Sequence, residues 1–205
     1  MTNAVVLLSG GKDSAIVLWW ARREYDHVTT LSVNYPERPR GEVLAARELS
    51  HKAGADHCEA DLPFVSTARR LRGSTSATFV SDNAYIPMRN LLLFSVAGYY
   101  AEIRCASRIV TGQLRSDGDV YRDARPAFSQ QVSKILSDSV RDNRAFRAEP
   151  LTIEQPLTKL DDESAIRLGR ELCVPFELSW SCLEDGTEPC QACVSCRDRA
   201  RLIRL

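Results

Sequence analysis

At 205 residues, 44% hydrophobic and 26% charged, the chain has the size of one α/β domain with a small appendage and an ordinary soluble composition. Its 27 basic and 27 acidic residues cancel, which argues against a globally basic nucleic-acid surface, and no stable nucleic-acid partner is expected. No apolar run approaches the roughly 20 residues that span a bilayer and no charged-then-apolar signal opens the chain, so the reading is a cytoplasmic protein without a membrane partner.

Ala4 to Leu8 is an apolar run that predicts a buried strand; Ser9, Gly10 and Gly11 turn the chain, and Lys12 to Tyr25 continues as a helix. Paired glycines let several N–H groups converge on one anion, and the helix aims its partly positive end at the same point. Ser9 and Ser14 add hydroxyls, Lys12 a mobile charge, and Asp13 either holds Mg²⁺ or caps the helix. The spacing is neither GxxxxGK[ST] nor GxGxxG. The plain alternative is a tight turn with a serine cap. SGGKDS after a buried strand resembles the pyrophosphate-binding loop of the ATP pyrophosphatases, which cleave ATP between its α and β phosphates. That resemblance implies an energy source and leaves the substrate open.

Further along, Ile16 to Ala21 is nearly all apolar, with Trp19 and Trp20 read as core or interface residues. A second strand is predicted at Val28 to Asn34, and the loop Tyr35 to Gly41 follows at its carboxyl end, where open α/β sheets place ligands. A helix over Glu42 to Ala53 and a strand over Ala55 to Leu62 come next; His51 and His57 read as surface or packing residues. From Pro63 to Asn83 the periodicity weakens, and Arg69, Arg70 and Arg72 suit either an anionic substrate or a solvated face.

YIPMRN, residues 85–90, precedes an apolar helix from Leu91 to Glu102 and sets Arg89 and Asn90 at its mouth. A strand over Arg108 to Gln113 contains Gly112, and the loop after it interleaves Asp117, Asp119 and Asp123 with Arg115, Arg122 and Arg125, a pattern suited to Mg²⁺ or substrate. Pro126 to Val140 reads as a helix, Arg147 to Ile153 as a strand and Asp161 to Leu172 as a helix with acids in its first turn.

Cys182, Cys190, Cys193 and Cys196, spaced C-x7-C-x2-C-x2-C, suit a closed tetrahedral zinc site, with an iron–sulfur cluster as the competing reading. Cys58, Cys105 and Cys173 read as isolated buried small hydrophobes.

Together these motifs resemble the 7-cyano-7-deazaguanine synthase family. The matching positions are the loop Ser9 to Ser14, Asn34-Tyr35, Pro87 with Arg89 and Asn90, then Gly112, Asp117, Tyr121, Asp123 and Arg125, and the tail from Trp180 to Cys196. The chain departs from the family's YGQRH at Tyr35-Pro36-Glu37-Arg38-Pro39, from its SGYPDCR at Gly118 to Arg125, and from the glycine after the first cysteine of the C-x2-C-x2-C run at Gln191.

The resemblance implies an α/β fold with an open, mostly parallel five-stranded sheet and helices on both faces, of the adenine nucleotide alpha hydrolase, Rossmann-like type. Residues 1–175 would form it and 176–205 a zinc-binding appendage. It implies ATP, Mg²⁺ and Zn²⁺, a homodimer, and conversion of 7-carboxy-7-deazaguanine and ammonia to the nitrile through an acyl adenylate and an amide. Leu8, Ser9, Gly10, Gly11, Lys12, Asp13, Ser14 and Gly112 would hold the nucleotide; Lys12, Asp13, Arg89, Asp117, Asp123 and Arg125 would act in the chemistry. Tyr35 and Tyr121 would stack on the base and Asp123 would accept from its exocyclic amine. Three alternatives stand beside it: a ligase stopping at the amide or joining the acid to another amine, including one on a protein; a tRNA sulfur-transfer enzyme; and a non-enzymatic nucleotide-binding module.

Overall fold

In a computed structural model, the described residues are 2–66, 85–140 and 149–204. The strands are β1 Asn3–Leu7, β2 His27–Asn34, β3 Asp56–Asp61, β4 Arg108–Val110 and β5 Thr152–Glu154. The helices are α1 Lys12–Glu24, α2 Arg40–Lys52, α3 Arg89–Ile103, α4 Arg115–Val120, α5 Pro126–Ser139, α6 Asp162–Glu171 and α7 Val194–Arg204. The five strands form one sheet in the order β3-β2-β1-β4-β5, all pairs parallel. The chain therefore runs outward from β1 through β2 to β3, then crosses back to lay β4 on the other side of β1. That reversal opens a crevice beyond the carboxyl ends of β1 and β4.

Alternation along β1 divides its side chains between two apolar layers. Ala4, Val6 and Leu8 pack with Ile16, Val17 and Leu18 of α1 and with Ala165 and Ile166 of α6. Val5 and Leu7 pack on the opposite face with Phe94 and Ala97 of α3 and Val132 of α5. Burying one such aliphatic side chain contributes about 1.5–3 kcal/mol, so the layers fix the position of the β1 end to which the glycine loop is attached. Trp19 and Trp20 pack half-buried against the first layer.

A third, smaller cluster joins the tail to α2 through Trp180, Cys182, Cys196 and Ala45. The Trp180 ring lies so close to Gly41 that a Cβ there would fall 2.3 Å from it. The Trp180 N–H donates to the Gly10 carbonyl at 2.8 Å. Gly10 itself has φ +94°, and a Cβ on it would meet the Glu42 carbonyl at 2.3 Å, so loop, α2 and tail can close together only around glycines.

Several expectations are corrected. The stretch after β4 is not an extended loop: α4 forms within it, its first turn tied by the Asp117 carboxylate accepting from the Leu114 N–H at 2.8 Å. The tail ends in α7, which the sequence did not suggest. Cys105 and Cys173 are exposed rather than buried, and Cys58 is only partly buried. Cys105 and Cys173 close α3 and α6 in left-handed conformation, φ 49° and 59°, a position glycine usually fills. The basic cluster at Arg69, Arg70 and Arg72 lies outside the described residues.

Candidate active site at the carboxyl ends of β1 and β4

A cavity of about 320 Å³ lies in the crevice. Its floor is the turn from β1 into α1. Gly11 stands at the N-terminal cap of α1 without any side-chain cap. Ala15 N–H returns to the Gly11 carbonyl and Gly11 N–H contacts Ser9 Oγ at 3.2 Å, while among the described residues the N–H groups of Lys12, Asp13 and Ser14 have no acceptor. Ser9 Oγ donates to Ser14 Oγ at 3.0 Å, and Ser14 Oγ donates to the Gly11 carbonyl at 2.9 Å. Unpaired donors at a helix start, aimed into a cavity, are what a phosphate group needs.

The structure gathers Leu8, Ser9, Gly11, Asp13, Ser14, Arg89, Gly112 and Asp117 around this space. Gly10 shapes the turn without lining the cavity. Lys12 points across to α6, its ammonium 2.8 Å from both Asp13 Oδ1 and Asp162 Oδ1. Burial alone would lower the Lys12 pKa, but the two carboxylates outweigh it and hold the amine protonated. Burial pushes the Asp13 carboxyl up against the opposing pull of Lys12, and the charges of Asp162 and Asp117 add to the rise. A divalent cation between Asp13 and Asp117 would relieve that repulsion, so the donor set fits Mg²⁺.

Arg89 and Asn90 reach the cavity because Met88, just before α3, is held in left-handed conformation at φ 56°. Such a conformation is costly for a bulky residue and marks a functional turn. The Arg89 guanidinium sits 5.8 Å from the Tyr121 ring centre, and Tyr121 lies nearly parallel to Tyr85, 6.4 Å between centres. Asp123 lines a narrow crevice beside these rings and accepts from the Asn90 N–H at 3.3 Å. Tyr35 lines the main cavity. Arg125 does not: its Nε donates to the Gly118 carbonyl at 2.7 Å on the exposed side of α4.

Among the cavity residues that the sequence reading passed over as site candidates are the charged pair Arg38 and Glu42. Arg38 is 8% exposed and donates to the Val33 carbonyl at 3.2 Å, to Asn34 Oδ1 at 2.7 Å and to the Ser9 carbonyl. It is a buried clasp between β2 and the phosphate loop. Its signals were its place in the loop after β2 and its coincidence with the arginine of the family's YGQRH.

At the far side of α2, the four cysteine Sγ atoms lie within 4.8 Å of one another. Tetrahedral zinc with Zn–S near 2.3 Å calls for sulfur separations of about 3.8 Å, so a small contraction suffices. Three thiols already accept backbone N–H groups: Cys182 from Cys190, Cys190 from Cys193, and Cys193 from Cys196. N–H groups of Leu183 and Cys196 draw the Cys193 thiol down, while burial pushes the neighbouring Cys196 thiol up, so without a metal the four share their protons unequally. The site fits one structural zinc.

Residues 3–204 match the family described as queuosine biosynthesis protein QueC. A 7-cyano-7-deazaguanine synthase of Sulfurihydrogenibium sp. is 31% identical, the alignment covering 98% of this chain and 94% of that protein. One of Psychrobacter sp. is 34% identical over 97% and 85% of the two chains. Among solved structures, the NMN synthetase of Francisella tularensis superposes with a TM-score of 0.56 at 19% identity, covering 93% of this chain and 70% of that one, a likeness of fold.

Proposed function

The chain belongs to the queuosine biosynthesis protein QueC family, and on that premise we propose that it is an ATP-dependent ligase converting 7-carboxy-7-deazaguanine and ammonia to 7-cyano-7-deazaguanine. The substrate carboxylate attacks the α-phosphorus of ATP, giving an acyl adenylate and pyrophosphate; ammonia displaces AMP to give the amide. A second ATP activates the amide oxygen, and loss of AMP leaves the nitrile. The protein supplies alignment and charge compensation rather than a covalent nucleophile.

The observation that carries this reading is the run of unpaired N–H groups opening α1 into the same cavity as Arg89 and Asp117. Pyrophosphate would rest on the Ser9 to Ser14 loop. Asp13 and Asp117 would hold Mg²⁺, which shields the charge of the leaving pyrophosphate. Arg89 would face the substrate carboxylate or the α-phosphate. Tyr35 and Tyr121 supply aromatic faces, and Asp123 an acceptor for the exocyclic amine of the base. Lys12 acts through Asp13, by balancing its charge, and Arg125 by bracing α4.

Residues 1–175 carry the ATP chemistry on this reading, and 176–205 form the zinc clip. A homodimer is favoured by the large apolar side chains left exposed on α3 and α5, Tyr99, Ile103 and Ile135. Among the described residues no helix is long and apolar enough to cross a membrane. We place the protein in the cytoplasm, where its cysteines stay reduced.

Mass spectrometry after incubation with 7-carboxy-7-deazaguanine, ATP, Mg²⁺ and ammonium tests the assignment. The expected product has gained one ammonia and lost two waters, with AMP and pyrophosphate alongside. ADP and phosphate instead, or an acid left unchanged until another amine or a protein is added, would reject it.

A further inference from the structure

Among the described residues three carboxylates line the cavity: Asp13, Asp117 and Glu42. Two are committed. Both Asp13 oxygens lie on the Lys12 ammonium, at 2.8 and 3.0 Å, and Asp117 Oδ2 caps the Leu114 N–H. Glu42, in the first turn of α2, keeps 27% of its side chain exposed and, among the described residues, takes only a long 3.4 Å contact from Arg38 Nε. Arg38 spends its other nitrogens on Ser9, Val33 and Asn34. The groups facing Glu42 are Arg38 from the loop after β2, Arg89 from α3, and Tyr35. Burial pushes the Glu42 carboxyl up, with Arg38 and then Arg89 opposing. A carboxylate so raised is a better proton acceptor near neutral pH than an exposed one.

The proposed reaction has a need this residue meets. Ammonium, the dominant form near neutral pH, has no lone pair until it loses a proton. We infer that Glu42 receives the ammonium ion and takes its proton as the nitrogen attacks the acyl adenylate. This rests on the amide- and nitrile-forming reading above. The N–H electron pair becomes the new C–N bond, and the C–O bond to AMP breaks with its electrons leaving on the phosphate. The cationic nitrogen then sheds a second proton to solvent. Glu42, partly exposed, returns its own proton to solvent and can accept an N–H proton again when the adenylated amide collapses to the nitrile. Its place on α2 sets it opposite the Arg89 side of the cavity, apart from the Asp13–Asp117 pair that suits the metal.

The test separates adenylation from amine attack. Glu42→Gln is expected to keep most of its acid-dependent ATP–pyrophosphate exchange while amide formation from ammonium falls about 100- to 10,000-fold, the usual worth of a positioned base. Hydroxylamine, uncharged near neutral pH, should still give hydroxamate at close to the unmodified enzyme's rate. Glu42→Asp should recover part of the ammonium-dependent rate, and the residual rate of Glu42→Gln should climb steadily with pH as free ammonia forms, without the plateau expected of the unmodified enzyme. Equal loss of exchange and amide formation in both variants would assign Glu42 to bracing Arg38 and overturn the inference. An unchanged ammonium-dependent rate in Glu42→Gln would overturn it as well. Absence of acid-dependent exchange in the unmodified enzyme would instead sink the parent reading, and this one with it.

Discussion

The phosphate loop and the cysteine cluster are both small polar constructions at the rim of the same sheet, yet they handle their polar groups in opposite ways. Among the described residues, the loop leaves the N–H groups of Lys12, Asp13 and Ser14 without acceptors at the wall of a cavity. The cluster uses N–H groups from its own turns to orient three of its four thiols toward one point. Unsatisfied donors beside open space are costly unless a ligand comes and goes, whereas satisfied and convergent ligands hold one ion permanently. The loop therefore suits a ligand that is exchanged, and the cluster suits a fastening. They are nonetheless joined, since Trp180 bonds Gly10 and lies on Gly41.

The largest effect should come from breaking the fastening. Zinc binding in small modules contributes on the order of 10 kcal/mol, so Cys193→Ser, or a strong chelator, should unravel the tail rather than leave a folded inactive protein. Elemental analysis should give about one zinc per chain before treatment; iron with acid-labile sulfide would contradict the assignment. If the two regions were independent, ATP binding would survive metal loss. The Trp180–Gly10 bond says it will not.

A substitution at the joint separates coupling from metal. Gly41→Ala puts a methyl into the Trp180 ring and should cost about 1–3 kcal/mol as overpacking, with ATP affinity falling while zinc is retained. Unchanged thermal midpoint and ATP affinity would show that the joint tolerates movement.

The smallest change should be a gain. Gln191, between two of the zinc ligands, sits at φ 58°, in the left-handed region that costs an L-residue about 1 kcal/mol. Gln191→Gly should raise the thermal midpoint and slow zinc release to a chelator, with no effect on ATP turnover. Slower turnover would mean that tail and loop are coupled more tightly than the single hydrogen bond implies.

Sequence reading worked where a physical rule is local. The apolar run before Ser9 sets β1, the glycine pair sets the turn, and the cysteine spacing sets the cluster. It failed where contacts come from afar or where the usual residue is replaced. Arg38 looks like one more polar loop residue until β2 brings it under Ser9. RSDGDV has no apolar period and contains a glycine, so α4 depends on Leu114, buried at 4% exposure, and on the Asp117 cap. The helix α7 carries five charges, Arg197, Asp198, Arg199, Arg201 and Arg204, that mask its apolar positions; Leu202 is buried in the core layer that holds α1 and α6. The ends of α3 and α6 are legible to within a residue, but Cys105 and Cys173 fill the left-handed positions beyond them and are exposed, where a lone cysteine reads as a buried small hydrophobe.

The hydrogen bond from Trp180 to Gly10 also bears on when the protein becomes competent. Its partners lie near opposite ends of the polypeptide, so during synthesis the N-terminal strand and turn emerge early while the residue that closes them is still to be made. Contacts of such long sequence separation form late. A nascent chain could assemble most of its sheet first, and the turn would gain its last tether only when Trp180 arrives. Metal uptake beside that tether would then come before ATP use rather than after it.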